Sequence, residues 1–236
     1  MMNGFGRIYR WGRNPSIGSA PQFTTAPAIS DSTPVAGDII TLSEGVTSGV
    51  PAPTLAGVLT LDFETDAAGN PIQPGQFIDD EYAAWGVSIS AQNNRGPDAA
   101  ITFDSANPTG GDPDLATPGY HASNDRALGN ILIIAEDVRD RNNDGYVDDP
   151  DDQAGRNPGY FSFLFDAPQY FGEATMVDIE EGGSVELFNY DFQTQSYTPV
   201  QTYAVAGQAD NAMQTVSFMP GESFNAVRIN MSGSGA

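Results

Sequence analysis

The sequence predicts an all-β protein: a jelly-roll-like β-sandwich preceded by an extended N-terminal arm and a short β segment. Three observations lead there. Apolar and polar residues alternate over many short runs, so that Phe161, Phe163 and Phe165 share one face of a run and Val185, Leu187 and Asn189 share one face of another. Turn formers separate these runs; the 236 residues include 26 Gly and 17 Pro. Helical periodicity is nearly absent, Asp79–Trp85 being the one weak candidate. Nine or ten short strands broken by Gly, Pro and Asp favour two packed sheets.

Residues 1–20 read as an arm. Arg7, Arg10 and Arg13 recur every third residue, with Phe5, Ile8, Tyr9 and Trp11 between them, and Gly4, Gly6 and Gly12 oppose a helix. Aromatic residues and Arg dominate interface hot spots. Phe5, Arg7, Tyr9, Arg10, Trp11 and Arg13 are therefore candidate anchors onto another chain, the alternative being an arm folded back on its own domain. Residues 21–60 are rich in Pro, Thr and Ser, with short strands expected at Asp38–Leu42 and Val58–Leu61. The remainder, 61–236, is expected to be one acidic domain. Its strands, the first reaching back to Leu59, are expected at Leu59–Glu64, Gly86–Ser90, Ala100–Phe103, Ile131–Ile134, Tyr160–Phe165, Ala174–Ile179, Ser184–Tyr190, Tyr197–Val205, Met213–Met219 and Ala226–Asn230.

Charge narrows the partners. The formal net charge is -22, all nine basic residues are Arg, and the first 25 residues carry three of those and no acid. Such a surface repels nucleic acid and anionic lipid and attracts cations. A highly soluble acidic surface, of the kind found on halotolerant or marine proteins, accounts for much of the charge. Cysteine is absent, which excludes disulfides and thiolate chemistry. No stretch approaches membrane-spanning length, so no membrane insertion is expected. The N-terminus lacks a signal-peptide apolar run, so the expected routes are retention in the cytoplasm, release by lysis or export through a C-terminal signal.

The most specific chemistry lies in residues 140–151, DRNNDGYVDDPD. Oxygen side chains fall at loop positions 1, 3, 5, 9 and 12: Asp140, Asn142, Asp144, Asp148 and Asp151. Gly145 occupies position 6, where the chain turns sharply, and Tyr146 at position 7 offers its carbonyl. Calcium is the expected ion, because magnesium tolerates crowded carboxylates and irregular geometry poorly. An apolar strand precedes the loop and a Gly/Pro segment follows it, so this is not a helix–loop–helix site. Position 12 is Asp rather than Glu, and Asp149 or Asp152 could substitute. Asp104, Asp112 and Asp114 form a second candidate metal cluster, since Gly110 and Gly111 let the chain double back between them. Asp62 with Glu64, and Asp178 with Glu180, would place four carboxylates on one sheet face if their strands were neighbours.

Catalysis finds little support. His121 is the single histidine, which excludes a multi-His metal site, and no nucleophile elbow is present. Trp85, Tyr120 and Tyr170 are candidate sugar-binding aromatics, although core packing is the commoner role for such residues.

Two resemblances add to this reading. GRIYRWGRNPSIG, followed by the Pro/Thr-rich stretch to residue 61, resembles the N-terminus of phage and prophage virion proteins of marine alphaproteobacteria, with a partial immunoglobulin-like (Ig-like) module. FDSANPTGGDPDL, NILIIAED, DPDDQAG and VDIEE resemble motifs of bacterial extracellular β-sandwich proteins of undefined activity, implying a metal-stabilised jelly-roll-like domain and no particular reaction. The expectation is therefore a non-enzymatic virion surface protein, a capsid decoration or fibre protein. It would be anchored to other virion proteins by its arm, stabilised by calcium and homo-oligomeric, a trimer being one arrangement. The alternative is a secreted calcium-dependent carbohydrate-binding or adhesion module that recognises cell-surface glycan.

Overall fold

The structure, a computed structural model, describes the backbone of Tyr9–Gly12 and all of residues 58–236. The expected segment at 21–60 falls almost wholly outside the described residues, as do Phe5, Arg7 and Arg13.

Among the described residues the chain is an all-β sandwich. Strands β3 (Val87–Asn93), β6 (Gly159–Gln169), β11 (Phe224–Met231), β8 (Gly183–Asp191) and β9 (Ser196–Val205) form an antiparallel five-stranded sheet in that order. A second sheet runs β10 (Met213–Phe218), β7 (Phe171–Val177), β1 (Tyr9–Gly12), β2 (Leu59–Leu61). From β6 onward the chain passes back and forth: β7 and β10 lie in the second sheet, β6, β8, β9 and β11 in the first. That alternation is what a jelly-roll-like connection requires. Strands β4 (Ala100–Asp104) and β5 (Asn130–Ile134) pair separately, and their near-continuous apolar runs are buried on both faces.

The alternation in β6 explains its place. Phe161, Phe163 and Phe165 point inward, and their cross-strand partners include Ile229, Val227 and Ile89. The second sheet joins this core through Phe218, whose ring centroid lies 6.0 Å from Phe224 and 5.9 Å from Tyr203. Each buried Phe, Leu or Ile contributes on the order of 1.5–3 kcal/mol. In a chain without cysteine this burial carries the fold.

Several boundaries differ from expectation. Asp79–Trp85 is not an α-helix; a 3-10 turn occupies Ala83–Trp85 and closes on Gly86 in the left-handed region. Strand β2 stops at Leu61 because Phe63 adopts φ 58°. Its fully buried ring packs edge-on against Tyr82 at 5.9 Å. Strand β7 stops at Val177 because Asp178 adopts φ 60°. These reversals, with β1 lying between β2 and β7, prevent the expected four-carboxylate face. Instead Glu64 accepts the Asn130 N–H at 2.8 Å, and Asp62 accepts the Glu64 N–H at 3.1 Å.

The arm supplies β1. Tyr9 is in register with Leu61 on one side and Ala174 on the other. These four residues therefore fold back on their own domain, as the alternative reading had it. Among the described residues no helix is long and apolar enough to cross a membrane.

Candidate cation-binding centre

The loop at 140–151 is closed by its own side chains. Asp140 accepts the N–H groups of Asp144 (3.2 Å) and Gly145 (2.9 Å), Asn142 accepts that of Asp144 (2.9 Å), and Asp144 accepts that of Tyr146 (3.0 Å). Asp148 accepts the Arg141 N–H at 2.6 Å. Positions 1, 3, 5 and 9 thus all turn into one loop. Buried Val147 pins it to the domain by donating to the Gly75 carbonyl at 2.9 Å.

Position 12 departs from expectation. Asp151 joins Asp112 and Asp152, one carboxylate oxygen of each lying within 4.8 Å of the others. Backbone pairing is the cause. Glu136 N–H donates to the Asp151 carbonyl and Gln153 N–H to the Ile134 carbonyl, while Asp152 bridges Ala135. The chain is thereby held in the continuation of β5, and the Asp151 side chain is presented to Asp112. Asp152 N–H donates to Asp112 at 3.1 Å, and Thr109 Oγ1 donates to the Pro150 carbonyl at 2.9 Å. Gly110 is needed here: at φ 68°, a Cβ would sit 2.6 Å from that of Asp151. Asp152 is 4% exposed and accepts the Gly235 N–H. Burial is the first cause that pushes both Asp151 and Asp152 well above the ordinary carboxylate range; the Asp112 carboxylate adds to it.

The expected second cluster divides three ways. Asp104 caps its own turn, accepting from the Ala106 N–H (2.9 Å) and the Asn107 amide (2.7 Å). Asp112 joins Asp151, as described. Asp114 meets Asp178 and Asp210, again with one oxygen of each within 4.8 Å. Asp178 is 2% exposed, and burial raises its pKa to about 7 against the opposing pull of the Asn211 N–H it accepts at 2.6 Å. Burial likewise raises Asp114. Asp210 accepts from the Tyr120 hydroxyl.

Asn211, which sequence reasoning missed, holds this second centre together. It is fully buried at φ 57°. Its Oδ1 accepts from Tyr120 N–H (2.7 Å) and His121 N–H (3.2 Å), and its Nδ2 donates to the Asp114 (2.5 Å) and Ala116 (3.0 Å) carbonyls. The available signal was its place in an Ala-Asp-Asn turn, since Asn tolerates the left-handed region.

Both centres gather three acids from segments far apart in sequence. The ion pairs among the described residues, Arg139–Asp137, Arg141–Asp149 and Arg228–Glu186, reach neither. Oxygen-only donor sets of this kind suit hard divalent cations. The third acidic group, Asp79, Asp80 and Glu81, is a contiguous run whose carboxylates serve local turns. No protein-family model matches this chain, and no curated protein matches it.

Proposed function

We propose that the chain is a non-enzymatic surface protein of a virion, a capsid decoration or fibre protein, whose β-sandwich is stiffened by calcium. The observation that carries the calcium reading is the convergence of Asp112, Asp151 and Asp152, one of them buried, with no ion pair to an Arg among the described residues. Three carboxyl groups with one oxygen of each within 4.8 Å of the others resist ionising together in a partly buried site, and a divalent cation turns that repulsion into coordination. The neighbouring 140–151 loop offers a further oxygen set through Asp140, Asn142, Asp144 and Asp148, with the Tyr146 carbonyl. The virion setting is supported by the resemblance of GRIYRWGRNPSIG to virion N-termini, and Phe5 and Arg7, which precede β1 in the sequence, are of the residue types that dominate interface hot spots.

Particle purification tests the setting: the protein should co-sediment with virions through a density gradient. A Phe5→Ala, Arg7→Glu double variant should lose attachment while keeping its melting temperature, because both residues precede β1. Attachment retained by that variant refutes the anchor, and absence of the wild type from purified particles refutes the virion setting. Calcium is tested independently by titration calorimetry on metal-stripped protein, with magnesium as the comparison ion.

A further inference from the structure

The five-stranded sheet buries one face and shows the other to solvent. Register places Tyr190 opposite Tyr197 on the open face, with Phe188 two residues before Tyr190 on the same face and paired with Pro199. Their rings form a continuous row, with centroids 5.1 Å apart for Phe192–Tyr190, 4.6 Å for Tyr190–Tyr197 and 5.5 Å for Tyr197–Phe188. Arg228 extends the row, lying 4.3 Å from the ring centre of Tyr160 and 5.3 Å from that of Phe188. Core packing does not account for this row, since Phe192 is 50% and Tyr197 43% exposed. Contiguous exposed aromatics on a polar protein mark an interaction surface.

The chemistry of the row selects its occupant. Among the described residues the Arg228 guanidinium donates no hydrogen bond, and the charge it pairs with is Glu186, at 3.9 Å. Within the row these two charges cancel, in a chain that carries -22 overall. Two copies of so acidic a chain repel, and so does any polyanion. A neutral, polyhydroxylated ligand meets neither obstacle. We infer that this face binds a neutral saccharide, with sugar rings stacked on Tyr190, Phe192 and Tyr197 and hydroxyls bonded to Arg228 and Glu186. Aromatic walls with a few placed polar groups are the usual make-up of small-molecule sites. The aromatics singled out from sequence lie elsewhere: Trp85 stacks on Tyr82 with ring centroids 5.4 Å apart, and Tyr120 serves Asp210.

Native affinity electrophoresis of the full chain tests this, in gels containing hydroxyethylcellulose, galactomannan or xyloglucan, with alginate as the polyanionic comparison. At least one neutral polysaccharide should retard the protein, and retardation should change less than about twofold between low and high salt, because no net charge is engaged. Tyr190→Ala combined with Tyr197→Ala should weaken binding at least tenfold. Phe192→Ser, at a half-exposed position, gives a second variant that keeps the fold. Phe77→Ala, an exposed aromatic outside the row, should bind like wild type. Retardation by alginate alone, by no polysaccharide, or equally in the row variants overturns the inference. Dimers by light scattering that dissociate in the row variants would identify a second copy as the occupant, and overturn it too.

Discussion

Asp112 and Asp151 hold their carboxylates together across the gap between a Gly-rich turn and the exit of a calcium-type loop. Neither residue is brought there by its own neighbours. The turn is closed by Thr109 and Gly110 against residues 150–151, and the loop exit is fixed by backbone pairing with the end of β5. The fold therefore uses hydrogen bonds to keep two carboxyl groups adjacent, which is the arrangement a cation would stabilise in their ionised form.

Calcium should raise the melting temperature and chelator should lower it. An ion present at 100 times its dissociation constant adds about 2.7 kcal/mol when it binds only the native state. For a domain of this size that corresponds to roughly 5–10 °C. Asp112→Asn with Asp151→Asn should remove part of the shift, and Asp140→Asn with Asp144→Asn another part, measured by differential scanning calorimetry. A melting curve indifferent to both chelator and calcium refutes cation binding.

Gly110→Ala probes the close approach directly. The substitution meets both a left-handed φ of 68° and a Cβ contact of 2.6 Å with Asp151. A loss of about 1–3 kcal/mol follows. Gly221→Ala, at φ 85° with nothing within 4 Å, carries the backbone cost alone and should be the milder change. Equal losses in chemical denaturation would mean that the contact with Asp151 contributes nothing.

In chelator, stability should fall as pH rises from about 4 to 7. Asp178 has its pKa raised by burial from the ordinary carboxylate range to about 7. The folded state thus binds the proton more tightly than the unfolded one, so its contribution is fully present below the unfolded pKa and is lost as pH rises towards the folded one. Asp151 and Asp152 shift in the same direction and add to the slope. Asp178→Asn should flatten the profile of melting temperature against pH. An unchanged slope in that variant would show that Asp178 ionises without penalty.

Much of the strand content was legible because alternation of apolar residues is a local signal. Phe161, Phe163 and Phe165 announce β6 and the face it buries. The cation centres were only half legible. Acid spacing identified the 140–151 loop and drew attention to Asp104, Asp112 and Asp114, yet the structure sorts these into different groups. Which acid meets which depends on long-range pairing, such as Asp152 with Ala135, that no local pattern encodes. Single left-handed residues at Phe63 and Asp178 were equally hidden. A Phe in that region is rare, and nothing adjacent in sequence signals it. The aromatic row was missed because Tyr160, Tyr190, Tyr197 and Arg228 come from four strands and meet only through sheet register.

Removal of residues 1–13 should destabilise the domain rather than merely trim it. Strand β1 lies between β2 and β7, in register with Leu59–Leu61 on one side and Phe171–Ala174 on the other. Its loss leaves two strands with unpaired N–H and C=O groups along their facing edges, and each buried group left unsatisfied costs about 1–3 kcal/mol. Exposed edges also invite pairing with other chains. The truncated protein should therefore melt at lower temperature and form larger species in size-exclusion chromatography with light scattering. Substitution of Phe5 and Arg7, which leaves β1 in place, should do neither. A truncated protein that is monomeric and melts like wild type would show that β1 is dispensable to the sheet, returning residues 9–12 to the role of a free anchor.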